Sequence, residues 1–266
     1  MTRTTVVTGA SSGIGKEFAR RFAQRGDDVV LVARRLERLE SLSVELRERY
    51  AVTVTPVPLD LTAPRPGAEL HARLAEHGIV ASALVNCAGF GRTELFSDAD
   101  DSDIADQLAV GVTALVDLTK AFYADLQDAE AGLLINVASM TGYAPIPGMA
   151  VYAAAKAFVI SFTEALWVEA RGSRLRVLCL SPGATSSEFY TTSGTSTEGI
   201  RFQTPRQVVD TAFHALDTSR RPTIVSGRAN ALLAGLMRTL PKRLVLTLAA
   251  RQAPKPAAVA AARTRH

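Results

Sequence analysis

The stretch TTVVTGASSGIG, Thr4 to Gly15, decides the fold. A β-branched run ending at Thr8 passes directly into a turn holding Gly9, Gly13 and Gly15, with Ser11, Ser12 and Ile14 between them, and then into a helical pattern. Glycines there let the backbone turn sharply and approach a pyrophosphate, which the free N–H groups and positive end of the helix can hold. A merely tight strand-to-helix turn would look similar, so the rest of the chain has to decide.

Outward from that turn, β-branched runs alternate with longer helical stretches. DVVLVA (28–33), VTVTPVPL (52–59), ALVNCA (83–88), GLLINVAS (132–139), LRVLCLS (175–181) and TIVS (223–226) join TTVVT (4–8) as seven expected strands. Strands separated by helices imply a parallel sheet covered on both faces, and right-handed crossovers make it a single doubly wound Rossmann domain of α/β class. Gly26, Gly78 and Gly172 fall where left-handed helix caps belong. The domain is expected over residues 1–250, including a C-terminal helical extension, with 251–266 as a flexible basic tail.

Composition narrows the partners. The chain has 266 residues, 47% hydrophobic and 21% charged, which suits one generous core. Its net charge of +4 is matched by Arg251, Lys255, Arg263 and Arg265 in the tail, so the basic balance is not a stripe on the folded body and nucleic acid is not an expected partner. No room exists before Thr4 for an export signal, and a cytoplasmic location is expected. Cys87 and Cys179 sit in apolar runs and read as packed thiols, while His71, His77, His214 and His266 show no metal-ligand spacing.

Two further features bear on chemistry. At the end of the second strand, Ala33, Arg34 and Arg35 stand where an acid would bind ribose hydroxyls, so guanidinium groups can meet a 2′-phosphate; both arginines also fit the start of a solvated helix. In VYAAAKAF, Tyr152 and Lys156 are four residues apart and share a helix face, where an ammonium beside a phenol is expected to lower the phenol's pKa. Ser139 precedes the pair at the end of the fifth strand.

TGASSGIG, NCAG (86–89), NVAS (136–139), YAAAK (152–156) and SPG (181–183), in this order, resemble the short-chain dehydrogenase/reductase family and its NADP-preferring bacterial reductases. The resemblance implies an oxidoreductase in which Tyr152 is the acid/base, Ser139 positions the substrate oxygen, and Lys156 holds the nicotinamide ribose. It also implies NADP as cofactor, with Asp60 and Leu61 at the adenine, Asn86, Ala88 and Gly89 at the cofactor floor, and Pro182, Gly183 and Thr185 near the nicotinamide. A homodimer or homotetramer is implied by the same resemblance, with Val159, Thr163 and Leu166 as candidate contacts.

The chain departs from the family pattern at Cys87 and, more seriously, at Gly111, where the family's fourth catalytic residue is asparagine. Ile104, Leu108, Leu115, Leu118 and Phe122 recur at helical spacing, which places position 111 on a buried stripe. Either close packing demands the missing side chain, or glycine preserves an irregular backbone that the asparagine otherwise maintains. The substitution keeps open a second function, a dinucleotide-binding sensor or scaffold with little turnover. Residues 229–250 carry an apolar stripe (Leu232, Leu233, Leu236, Met237, Leu240) that is interrupted by Pro241. That stripe is expected to cover the substrate pocket or a subunit contact, with a membrane-surface patch as the alternative, and the segment is too short and charged to cross a bilayer. A small carbonyl or alcohol substrate of hydrophobic character is expected.

Overall fold

A computed structural model describes residues 3–250. The tail expected at 251–266 lies outside them. Seven strands, β1 (Thr4–Thr8), β2 (Asp28–Ala33), β3 (Val54–Pro58), β4 (Ala83–Asn86), β5 (Leu133–Val137), β6 (Arg176–Ser181) and β7 (Thr223–Val225), form one sheet in the order 3-2-1-4-5-6-7. Every pairing is parallel. A parallel sheet of this kind needs helices on both faces, and neighbouring residues in the strands show it. Val7, Leu31, Val85, Ile135 and Leu178 pack against α1 (Gly13–Gln24), α2 (Leu36–Tyr50) and α8 (Pro205–Thr218). Val6, Val30, Leu84, Leu134 and Val177 face the other way, toward α3 (Pro66–Glu76), α5 (Ala114–Asp128) and α6 (Ala150–Glu169).

Strand ends differ from the sequence expectation for local reasons. β4 stops at Asn86 because the amides of Cys87 and Ala88 donate to the Thr8 hydroxyl, at 3.0 and 3.1 Å, in place of a ladder bond. β3 sits at the sheet edge, where Pro56 and Pro58 lack no needed donor. Gly26, Gly78 and Gly172 all have positive φ, as their capping positions require. Both cysteines are free, Cys179 is fully buried, and burial pushes each thiol up to about 12.

The helix expected around 103–128 is three pieces. α4 (Asp101–Leu108) and α5 are joined by a π-helical turn, Ala109–Thr113, with Gly111 buried at its centre. A π turn holds an extra residue, which rotates the face of the helix before it by about 100° relative to the helix after it. Leu108, expected inside, is therefore 43% exposed, and Gln107 is 5% exposed in its place. α6 is long and apolar enough to cross a membrane by length and composition alone. One of its faces, with Val159, Thr163 and Leu166, is buried within the chain. These three are thus core residues, not contacts with a second copy; the outward side chains are Phe158 and Val168, while Phe162 is half-buried against the core.

Strand order reverses direction between β1 and β4, and the crevice at such a switch point is where ligands bind in open α/β sheets. Its depth is set by close backbone approach. A Cβ on Gly9, which has φ +68°, would lie 3.0 Å from the Ala88 backbone, and one on Gly15 would lie 2.3 Å from the Gly9 carbonyl oxygen. β4 and β5 are locked beneath the crevice by a polar ladder. Asn86 Nδ2 donates to Asn136 Oδ1 at 2.9 Å and to Thr119 Oγ1 at 3.1 Å, and Asn136 Nδ2 donates to Thr163 Oγ1 at 3.0 Å.

Candidate active site

α1 begins without a capping side chain, its N-cap Ser12 making no such bond, and no acid stands in its first turn. Its first amides thus open onto a cavity of about 440 Å³ lined by Ser11, Ser12, Gly13, Lys16, Arg38, Ser187 and Glu188, among others. Space, unpaired donors and glycines too close to neighbours to carry a side chain fit the diphosphate of a dinucleotide. Asp60 lies exposed after β3, where its Oδ1 accepts from the Thr62 amide at 3.0 Å; that bond, the Thr62 hydroxyl and the nearby Arg34 hold its carboxyl below the usual range. Leu61 beside it is buried.

The two arginines after β2 part company. Arg34 is exposed near Asp60. Arg35 turns into the cleft, donating to Ser11 Oγ at 3.0 Å and to Glu188 at 2.8 Å. Arg38, one turn into α2, pairs with the other oxygen of the same carboxylate. Glu188, held by Arg38 and then Arg35, has its carboxyl below the ordinary value. Neither Arg38 nor Glu188 stands out in the sequence. Arg38 was discoverable, since it lies one helical turn beyond Arg34 and Arg35; Glu188 comes from a loop 150 residues away and left no local signal.

Deeper in the cleft the catalytic candidates converge. Just past the end of β5, Ser139 Oγ accepts from the Thr141 amide at 3.2 Å and stands near enough to the Tyr152 phenol to oppose the rise that burial imposes on it. Met140 donates its amide to Pro182 O at 2.9 Å, which ties this loop to the turn after β6. Tyr152 is wedged in place: a Cβ on Gly91 would lie 2.8 Å from its ring, and the Phe189 ring centroid stands 5.2 Å away on the other side. Phe189 opens the short helix α7 (Phe189–Ser193), so the residue after Glu188 rests on the tyrosine. Nothing in one sequence marks Gly91 and Phe189 as a packing wedge.

Lys156 is 5% exposed, and its Nζ donates to Val137 O at 2.8 Å while standing 5.7 Å from the Tyr152 ring centroid. The expected lowering of the phenol is not what the structure shows. Burial pushes Tyr152 well above the usual tyrosine range, against the smaller opposing influence of Ser139, and burial pushes Lys156 down. Desolvation disfavours both charged forms more than the distant pair stabilises them.

Ala88 and Gly89 do reach the site, with a Cβ on Gly89 3.4 Å from Lys156 Nζ, whereas Asn86 lies below it in the polar ladder. Gly183 presses on Asn230, since a Cβ there would lie 2.2 Å from its Nδ2, and Thr185 is buried with its hydroxyl on Gly183 O at 3.0 Å. At Gly111 an added Cβ would meet only Ala155, at 3.4 Å. Packing alone therefore does not demand glycine. The irregular backbone is present, as the second explanation required. Among the described residues no His, Cys, Asp and Glu cluster suits a metal.

A family model described as short chain dehydrogenase matches residues 3–197, and the chain belongs to the short-chain dehydrogenase/reductase family. It is 38% identical over 191 residues to a sulfoacetaldehyde reductase of Chromohalobacter salexigens, covering 71% of this chain and 75% of that one. Among solved structures, a short-chain dehydrogenase from Sphingobium yanoikuyae in complex with NADPH superposes with a TM-score of 0.79 at 31% identity, covering 90% of this chain and 97% of that one. The bulky-bulky ketone specific alcohol dehydrogenase of Comamonas testosteroni gives 0.75 at 31% identity, over 90% and 95% of the chains. The protein is accordingly an oxidoreductase of the CH–OH/C=O couple that uses a nicotinamide dinucleotide.

Proposed function

We propose that the protein is an NADP(H)-dependent reductase of apolar ketones or aldehydes, with Tyr152 as proton donor. The observation that carries this reading is the Tyr152 ring, wedged between Gly91 and Phe189 with Lys156 Nζ 5.7 Å from its centroid and its phenol kept protonated by burial. The bound nicotinamide supplies the hydride. Ser139 fixes the carbonyl oxygen, and Tyr152 delivers a proton to that same oxygen, which assists as charge builds on it. Lys156 would hold the nicotinamide ribose, the amides of Gly13, Ile14 and Gly15 the diphosphate, and Asp60 the adenine. Arg35 and Arg38 would take the 2′-phosphate, which favours NADP; Arg34, tied electrostatically to Asp60, is the lesser contributor. The aromatic chain Tyr152, Phe189, Tyr190 and Phe202, each ring in contact with the next, lines the substrate side and supports an apolar carbonyl. A homodimer across the outward faces of α6 and α4–α5 belongs to the same reading.

Screening a panel of aromatic and aliphatic ketones for cofactor-dependent absorbance change tests it. NADPH oxidation by wild type, lost in Tyr152→Phe, is the expected result. Cofactor binding with no turnover on any carbonyl would favour the sensor or scaffold instead, and equal use of NADH would remove the arginine argument.

A further inference from the structure

The C-terminal helices carry a surface that the reductase reading does not use. α9 (Arg228–Thr239) is fastened to the body along one side: Asn230 donates to Ser226 O at 2.8 Å, Ala234 is 2% exposed, and Arg238 pairs with Glu164 at 2.7 Å and lies over the Tyr143 ring. The opposite side holds Ala229, Leu232, Leu233 and Leu236, at i, i+3, i+4 and i+7, which is one helix face. All four are exposed, Leu232 at 77%. α10 (Lys242–Ala250) continues the pattern, anchored by buried Val245 and presenting Leu244 and Leu248 one turn apart, with Leu246 also exposed. Of the stripe expected from sequence to cover the pocket or a subunit contact, Leu232, Leu233 and Leu236 thus point away from the body, while Met237 and Leu240 are half-buried.

Charge is equally one-sided. Up to Asp217 the chain holds 20 Lys and Arg against 26 Asp and Glu, whereas residues 218–266 hold ten Lys and Arg and no acid. Arg228, Lys242 and Arg243 are exposed beside the leucines and, among the described residues, form no ion pair. A second copy placed on this face by a two-fold axis would oppose those cations to themselves, which disfavours self-association there. No aromatic side chain stands in 228–250 to act as the anchor that protein interfaces concentrate. Rigidly held exposed leucines flanked by unpaired cations match instead the headgroup region of an anionic bilayer.

We propose that the outer face of α9 and α10 docks the enzyme reversibly onto anionic lipid surfaces, with Leu232, Leu233 and Leu236 inserting at the acyl boundary and Arg228, Lys242 and Arg243 meeting headgroup phosphates. The proposal is independent of cofactor choice and of the catalytic assignment. It is tested by sedimenting the full chain with phosphatidylcholine vesicles made with or without phosphatidylglycerol. Binding to the anionic vesicles is expected, with affinity for neutral ones lower by roughly a hundredfold for three surface cations and with release by salt. Leu232→Ser with Leu236→Ser should abolish binding with the thermal midpoint unchanged, because both side chains are already exposed. Lys242→Glu with Arg243→Glu gives a second, independent loss should the serine variant misfold. Wild type remaining in the supernatant with anionic vesicles overturns the idea. So does binding that the leucine substitutions leave intact, which would be charge attraction alone. An oligomer that dissociates in the leucine variant without any vesicle binding would assign the face to a second copy.

Discussion

Glu188 occupies, with its carboxylate, a position between Arg35 and Arg38 where a phosphate would be equally well received. On the proposed reading an incoming 2′-phosphate would have to displace it, so part of the guanidinium attraction is already taken up by a side chain of the protein itself. Hydrogen bonds between charged groups contribute about 1.5–3 kcal/mol, reduced here by the half-exposed setting. Glu188→Gln is expected to tighten NADPH binding by about tenfold and to leave NADH nearly unchanged, as titration calorimetry would show; equal gains for both cofactors would mean that Glu188 obstructs the whole cleft. A second consequence concerns pH. With its phenol pushed up by burial, Tyr152 stays protonated across the range in which proteins are handled. With Tyr152 as the proposed acid/base, carbonyl reduction, which would need the proton on the tyrosine, should be nearly flat between about pH 6 and 9, while alcohol oxidation, which would need the phenolate, should climb throughout. A reduction rate that falls through neutrality would show that the bound state lowers the phenol far more than its present surroundings do.

The π turn at Ala109–Thr113 separates what a repeating pattern can announce from what it cannot. Leu115, Leu118 and Phe122 followed the 3.6-residue period and are buried, because α5 is regular. Leu108 did not, because one extra residue in the turn moved its face, and periodicity carries no record of such an insertion. Gly111 is the clue that was visible, an unfavourable residue in the middle of a helical pattern. Since its neighbourhood leaves room for a Cβ and the backbone there is already opened, Gly111→Asn should fold and should raise turnover several-fold with NADPH affinity unaltered. Unchanged turnover would show that the open backbone alone suffices. Strand interiors and the Ser139, Tyr152 and Lys156 set were legible for the opposite reason: each is encoded in a short local run. The clasp of Glu188 and the wedge of Gly91 and Phe189 join segments far apart in sequence, and only the folded chain brings them together.

At the scale of the whole molecule, the outer side of α6 presents Phe158, 38% exposed and stacked at 5.6 Å on half-buried Phe162, and Val168, 55% exposed. If this face joins two copies, Phe158→Asp should halve the mass seen in light scattering at micromolar concentration while far-UV circular dichroism stays native. A wild-type monomer would dismiss the pairing. The order of strands has its own effect in time. β1 meets β2 early in the chain, yet its other neighbour is β4, and bonds at the two ends of that pair tie Thr4 to Ser82 and, beside the cofactor crevice, Thr8 to Ala88, 78 and 80 residues apart. Helices form in about a microsecond, whereas parallel pairings of such separation are slow, on the order of milliseconds to seconds. During refolding, helical signal should therefore return well before the chain acquires affinity for a dinucleotide. In that interval added dinucleotide should give no shelter from proteases, so the chain's exposure to them should last as long as the insertion of one strand.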